Sequence, residues 1–220
     1  MKGWMNLLIK KLCLPLILVV VLAVLFAYLP TVYVTENSDA DEVLVFLEEV
    51  VSIDVAKYDV TLLGTSVTYP DWLDGLAQLT GKYTLESETS KIDVLFKFRN
   101  NTLSWCLVRV LEGSPKYTES QSTDLRDLAC DFLQKYQAYS GDSDLEAMRG
   151  MLDVVDVTEN STKTVGNMKL IVSIMSFSSS FDWRYTLDET DYGGVNVSFR
   201  NGHFYAFSDD ISYRQTSYTS

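Results

Sequence analysis

Residues 93–108, DVLFKFRNNTLSWCLV, have an echo a hundred positions later in residues 194–209, GVNVSFRNGHFYAFSD. Each copy reads Phe-Arg-Asn followed by Asn or Gly, set between apolar residues that alternate with polar ones. Such alternation marks half-buried strands, and Asn-Asn or Asn-Gly between two of them supplies a tight two-residue turn. A turn at Asn100-Asn101 sets Phe98 opposite Leu103, Phe96 opposite Trp105 and Val94 opposite Leu107, all on one side of the ribbon. Arg99 with Thr102, and Lys97 with Ser104, fall on the other side, and a one-residue slip would scramble the sorting. A turn at Asn201-Gly202 likewise sets Phe199 opposite Phe204 and Val197 opposite Ala206. Arg200, Ser198, His203 and Tyr205 then share the polar side with Phe207, so Tyr205 and Phe207 form a possible ligand face. The repeated phrase predicts a repeated hairpin.

Working outward, Val43, Leu44, Phe46, Leu47, Val50 and Val51 fall on one face of a helix that starts near Ser38 and Asp39. Strands are expected over 58–69, 83–86 and 92–98. Between the hairpins, Leu125, Leu128, Ala129, Phe132, Leu133 and Tyr136 share one helical face, and Gly141 supplies a stop. A second helix opens at Ser143 with Glu146 three residues on, the pattern of a capping box. NSTKTVGN (160–167) reads as a loop, followed by strands over 169–177 and 181–187. Helix then meander, twice, predicts an α+β fold: antiparallel sheets with helices packed on one face, in two tandem helix-plus-meander repeats.

Leu12 to Leu29 is an uncharged apolar run, long enough for a transmembrane helix. Lys10 and Lys11 precede it, and Glu36, Asp39, Asp41 and Glu42 follow. The positive-inside rule therefore places the N-terminus in the cytoplasm and residues 36–220 outside. A cleaved signal peptide is the alternative, although Leu25 and Ala27 make a poor cleavage pair. The expected organisation is a cytoplasmic N-terminus (1–11), an anchor (12–34), a stalk (35–41), two helix-plus-sheet units (42–118 and 119–215) and a tail (216–220).

The formal net charge is -12, and every acidic residue lies beyond the apolar run. So negative an exterior disfavours nucleic acid and anionic headgroups as partners. The expected partners are the membrane, through the N-terminal helix, and an exterior protein or envelope component.

The motifs that carry chemistry are sparse. His203 is the single histidine, and P-loop, GxGxxG and HExxH patterns do not occur, so no catalytic residue and no cofactor is assigned. Asp188, Glu189 and Asp191, ahead of Gly193-Gly194, are weak calcium candidates, with solvated loop acid as the plainer reading. Cys106 and Cys130 either form an exterior disulfide or stand as two separately buried thiols. The register places Cys106 on the face opposite Trp105, across from Leu95. Glycosylation sequons begin at Asn100, Asn160 and Asn196.

The phrases FLEEVVSIDVAKYDVTL (46–62), YTLESETSKIDVLFKFRNNTL (83–103), VLEGSPKYT (110–118) and VSFRNGHFYAFSD (197–209) resemble a set of uncharacterised archaeal, N-terminally anchored surface proteins. The resemblance runs through most of residues 42–210. It implies an archaeal surface protein of the same layout and brings no functional residues with it. Three functions follow as expectations. The first is a non-enzymatic, single-pass anchored binding module. The second is an extracellular carbohydrate-binding or sugar-cleaving protein. The third, on fold analogy alone, is a peptidase-inhibitor or propeptide-like module.

Overall fold

A computed structural model describes residues 38–73, 75–187 and 190–210. The cytoplasmic N-terminus, the anchor expected over 12–34, residues 35–37 of the stalk, Asp188, Glu189 and the tail lie outside the described residues, whereas residues 38–41, expected as stalk, are the first turn of a helix. The first helix is α1 (Ser38–Glu49), followed by the strands β1 (Asp59–Thr68), β2 (Gln78–Ser87), β3 (Ser90–Arg99) and β4 (Thr102–Gly113). Two helices come next, α2 (Leu125–Ser140) and α3 (Asp144–Met151). The chain closes with β5 (Ser161–Val165), β6 (Met168–Ile174), β7 (Ser178–Leu187), β8 (Thr190–Arg200) and β9 (His203–Asp209). The fold is α+β, as the alternating patterns predict.

The strands form one antiparallel sheet in the order β1-β2-β3-β4-β9-β8-β7-β6-β5. Two meanders, one from each of the stretches 42–118 and 119–215, thus meet edge to edge in one sheet. The seam is short: Trp105, Cys106 and Leu107 of β4 pair with Ser208, Phe207 and Ala206 of β9. A row of inward side chains crosses the seam unbroken, from Phe96 through Cys106, Phe207, Val197 and Phe181 to Val172. All six are buried. Removing such a row from water is the main stabilising contribution, at about 25 cal/mol per Å² of apolar surface.

All three helices reach this face. The Phe46 ring of α1 lies 5.4 Å from that of Phe207, and Tyr136 of α2 lies 4.7 Å from it. Trp183 Nε1 on β7 donates to the Met148 carbonyl of α3 at 3.0 Å. On β2, Tyr83 does the same office for α1, its hydroxyl donating to Asp41 at 3.2 Å. Burial and the negative Asp41 together push the Tyr83 pKa up to about 12, so it stays a donor. α2 begins on Asp124, whose carboxylate accepts from Arg126 N and Asp127 N, and ends at Gly141 in the left-handed region. The capping box expected at α3 is not formed. Ser143 is itself helical and its side chain makes no cap; Asp142 Oδ1 takes the Asp144 N–H at 2.9 Å.

Both turns lie where the sequence puts them. Asn100 (φ 48°), Asn101 (φ 61°), Asn201 (φ 52°) and Gly202 (φ 77°) give two type I′ turns, and Phe98–Leu103 and Phe199–Phe204 pair as expected. One step further the ladders depart from the expected register. Ser104 in β4 and Tyr205 in β9 are each an extra residue, a β-bulge at the same distance from its turn. Lys97 therefore faces Trp105 and Phe96 faces Cys106, correcting the expected Phe96–Trp105 and Val94–Leu107 pairs. Val197 faces Phe207 rather than Ala206. Each bulge turns the residues after it over: Trp105 goes to the outer face, while Cys106 and Phe207 go to the core.

The loop expected over 160–167 is a hairpin, with β5 pairing to β6 around Gly166 at φ 61°. It escapes the alternation signal because β5 is an edge strand whose side chains are mostly exposed.

Candidate functional site

The bulges undo two candidate sites. Phe207 is 1% exposed, packed against Phe46, Phe132 and Tyr136, so it belongs to the core and not to a ligand face. Tyr205, the other half of that face, stays half-exposed with the Arg200 guanidinium 4.8 Å from its ring centre. The Cys106–Cys130 disulfide is not formed. Cys106 is enclosed on the core face of β4, where burial pushes its pKa up, and Cys130 lies half-buried on α2; both are free thiols.

Of the calcium candidates, Asp191 is already engaged. Lys169 Nζ lies 2.7 Å from Oδ2, and Thr186 Oγ1 donates to Oδ1 at 2.9 Å, which together lower its pKa. Among the described residues, no group of three or more His, Cys, Asp or Glu side chains is placed to hold a metal ion. Asn100 stands exposed in its turn and Asn160 exposed ahead of β5, its Oδ1 accepting from Ile174 N. Asn196 sits in β8 between β7 and β9, half-buried, accepting a hydrogen bond from the Ser198 hydroxyl of its own sequon.

A serine–lysine contact emerges that sequence reading does not reveal. Ser52 follows α1 at φ 63°, buried, with Lys135 Nζ 2.8 Å from its Oγ. A nucleophilic Ser–Lys pair needs a neutral amine and an accessible hydroxyl. Here Lys135 is also bound to Glu119 and Asp131; burial opposes its charge, but the two carboxylates outweigh it and raise its pKa. The ammonium is held charged, so the contact pins the exit of α1 to α2 and is no proton acceptor.

A cleft opens where the seam ends. Past Leu107 the ladder with β9 stops, and β4 runs on to Gly113 with a sheet neighbour, among the described residues, on its β3 side alone. β4 and the β8–β9 hairpin part around a cleft of about 650 Å³, within the range of ligand sites. Its walls carry Arg109, Val110 and Leu111 from β4, Arg200 and Tyr205 from the hairpin, and Phe177 from the β6–β7 turn. Val110, Leu111 and Phe177 are exposed, Phe177 by 73%. Neither arginine forms a salt bridge among the described residues; Arg109 stands opposite Asp93, whose carboxylate is held by Lys82 at 2.7 Å. Glu112 adds one acid at the rim.

One side of the cleft is closed by the segment after β4. Tyr117 stacks on His203 with ring centres 5.6 Å apart, and its hydroxyl is 3.1 Å from His203 Nδ1. Burial lowers the His203 pKa, so the ring is neutral at pH 7 and the two arginines carry the positive charge. His203 is thus a wall residue stacked on Tyr117, not the free surface side chain that the hairpin pattern suggests.

A shallower depression of about 490 Å³ on the outer face holds Trp105, Leu95, Thr80 and Lys97, the last with its ammonium 5.7 Å from the Trp105 ring centre. No described helix is long and apolar enough to cross a membrane. No family model, curated protein or solved structure matches the chain.

Proposed function

We propose that this chain is a single-pass anchored surface protein whose exterior part, residues 36–220, is a non-enzymatic binding module, and that the cleft beside β4 is its ligand site. The cleft carries the reading. Solvent-exposed apolar side chains seldom gather around an opening without a ligand to cover them. Here three line one cleft, next to two exposed arginines that form no salt bridge among the described residues, in a chain of net charge -12. The anchor and its orientation rest on the apolar run 12–29 and the lysines before it. The archaeal surface setting rests on the resemblance of the sequence phrases.

The same turn, bulge and inward aromatic in both hairpins support an origin in two tandem helix-plus-meander copies. So does the seam, where Cys106 and Phe207, each the fourth residue after its turn-flanking partner, lie directly opposite each other. A carbohydrate ligand is the second reading, favoured by Trp105 beside the Thr80 and Ser66 hydroxyls on the outer face.

The test is thermal unfolding of the full chain in detergent against a panel of peptides, envelope sugars and divalent cations. A ligand of the folded state present at a hundredfold its Kd adds about 2.7 kcal/mol to stability. The expected outcome is a ligand-dependent rise in Tm that the paired substitutions Leu111→Ala and Phe177→Ala remove. A rise that survives both substitutions but disappears with Trp105→Ala would move the site to the outer face.

A further inference from the structure

We infer that the cleft takes an extended, carboxylate-bearing peptide segment of a partner protein, which adds as a strand to the free edge of β4. The inference rests on the cleft being the ligand site and specifies what fills it.

Three features point to a peptide strand. First, β4 over Val108–Gly113 is a strand with a sheet neighbour, among the described residues, on the β3 side only. The backbone groups of an unpaired edge are a template for another strand, and main-chain hydrogen bonds then supply much of the affinity. Secondly, the walls alternate in kind as a strand ligand would require. Successive side chains of an extended segment point to opposite faces, and β4 offers Arg109 on the outer face and Val110 towards the inner one, level with Asp93 and Ile92 of β3. An alternating acidic and apolar segment lying along β4 meets charge on one side and apolar surface on the other.

Thirdly, the charge selects the partner. Arg200 forms no salt bridge among the described residues, and Arg109 stands opposite an Asp93 already held by Lys82, so on a chain with 30 acidic and 18 basic residues the cleft presents two guanidinium groups against the single acid Glu112. The guanidinium fork is suited to pairing with a carboxylate through two parallel hydrogen bonds. The surrounding acidity disfavours a strongly anionic macromolecule and leaves room for one or two carboxylates delivered between the arginines. The stacking of Arg200 on Tyr205 holds its guanidinium plane in place before any ligand arrives.

The experiment uses the full chain in detergent micelles and fluorescence anisotropy with three labelled eight-residue probes. One alternates glutamate and valine, one alternates lysine and valine, and one is the glutamate probe with alternate backbone nitrogens methylated. The glutamate probe is expected to bind, the lysine probe at least tenfold more weakly, and the methylated probe at least tenfold more weakly because it cannot complete the ladder. The double variant Arg109→Glu, Arg200→Glu is expected to lose the glutamate probe and to gain affinity for the lysine probe. Both residues are exposed, and an unchanged circular dichroism spectrum checks the fold. Equal binding of the methylated and unmethylated probes would overturn strand addition. Equal binding of the glutamate and lysine probes, or no binding of either, would overturn the assignment of an anionic peptide. In all of these cases a panel ligand whose effect depends on Leu111 and Phe177 would leave the cleft itself standing. Loss of that dependence would remove the ligand site as a whole.

Discussion

At the scale of single residues, charge on the sheet is arranged in pairs, and Asp93 shows what such a pair does. It lies on the outer face of β3, 6% exposed, with Lys82 Nζ 2.7 Å away and the Thr84 hydroxyl donating at 3.0 Å. Burial pushes its pKa up, but the ammonium and the hydroxyl together outweigh burial, and the net shift is downward from 3.8. The folded state therefore holds fewer protons than the unfolded chain at mildly acidic pH. Its contribution to stability is complete above the ordinary carboxylate range and is lost as the pH falls through the lowered folded value. Asp93→Asn is expected to cost about 1–2 kcal/mol at pH 7. Denaturant unfolding of wild type and variant should then converge as the pH is taken from 7 to 3. A gap that is the same at both ends would show that the charge on Asp93 plays no part.

At the scale of elements, the same inward slot is filled in two ways. In the first meander Gly81 on β2 faces Phe96 on β3; in the second, Phe181 on β7 faces Val197 on β8. Each pair supplies one aromatic ring, from opposite strands. A Cβ on Gly81 would run into the ring of Phe96, which is buried and flanked by Tyr83 at 5.7 Å and Phe98 at 5.9 Å between centres. The ring has nowhere to retreat, so Gly81→Ala is expected to cost about 1–3 kcal/mol as overpacking. Adding Phe96→Leu should return part of that loss, measured as non-additivity in a double-mutant cycle. Strict additivity would mean the two residues do not meet. The elements also mark how far the sequence could be read. Both turns, all three helices and the strands that flank the turns were legible, because Asn-Asn, Asn-Gly, Gly141 and the apolar periods act locally. The bulges at Ser104 and Tyr205 were not, since alternation cannot register one residue that belongs to neither face. That single step moved Phe207 and Cys106 inward and dissolved the ligand face built on Tyr205 and Phe207. The cleft was invisible for a different reason: Arg109 and Arg200 come together only through the divergence of β4 and β9, which no local pattern encodes.

At the scale of the whole described domain, the short seam raises the question of whether two meanders sharing three residue pairs unfold as one body. The sheet alone would argue for two. The core argues for one, and Phe46 decides it. This α1 residue belongs by sequence to the first meander, yet its ring packs on Phe132, Tyr136 and Tyr139 of α2 and on Phe204 and Phe207 of β9. Its neighbours are thus drawn largely from the second half. Tyr139 adds a polar tie between the halves, its hydroxyl donating to Glu42 of α1 at 2.8 Å. If either half were removed, the other would expose the Cys106 and Phe207 row and lose the opposite side of its aromatic cluster. Phe46→Ala is expected to cost about 3–5 kcal/mol and to lower a single thermal transition by roughly 10 °C. Calorimetric and van't Hoff enthalpies should agree in both proteins, as a two-state domain requires. Chains cut between Thr118 and Glu119 should show no cooperative transition separately and should regain it when mixed. Two resolved transitions in the intact chain, with only one displaced by Phe46→Ala, would mean that each half folds by itself. The cleft between β4 and β9 would then be free to change width, and its ligand affinity would not depend on Phe46.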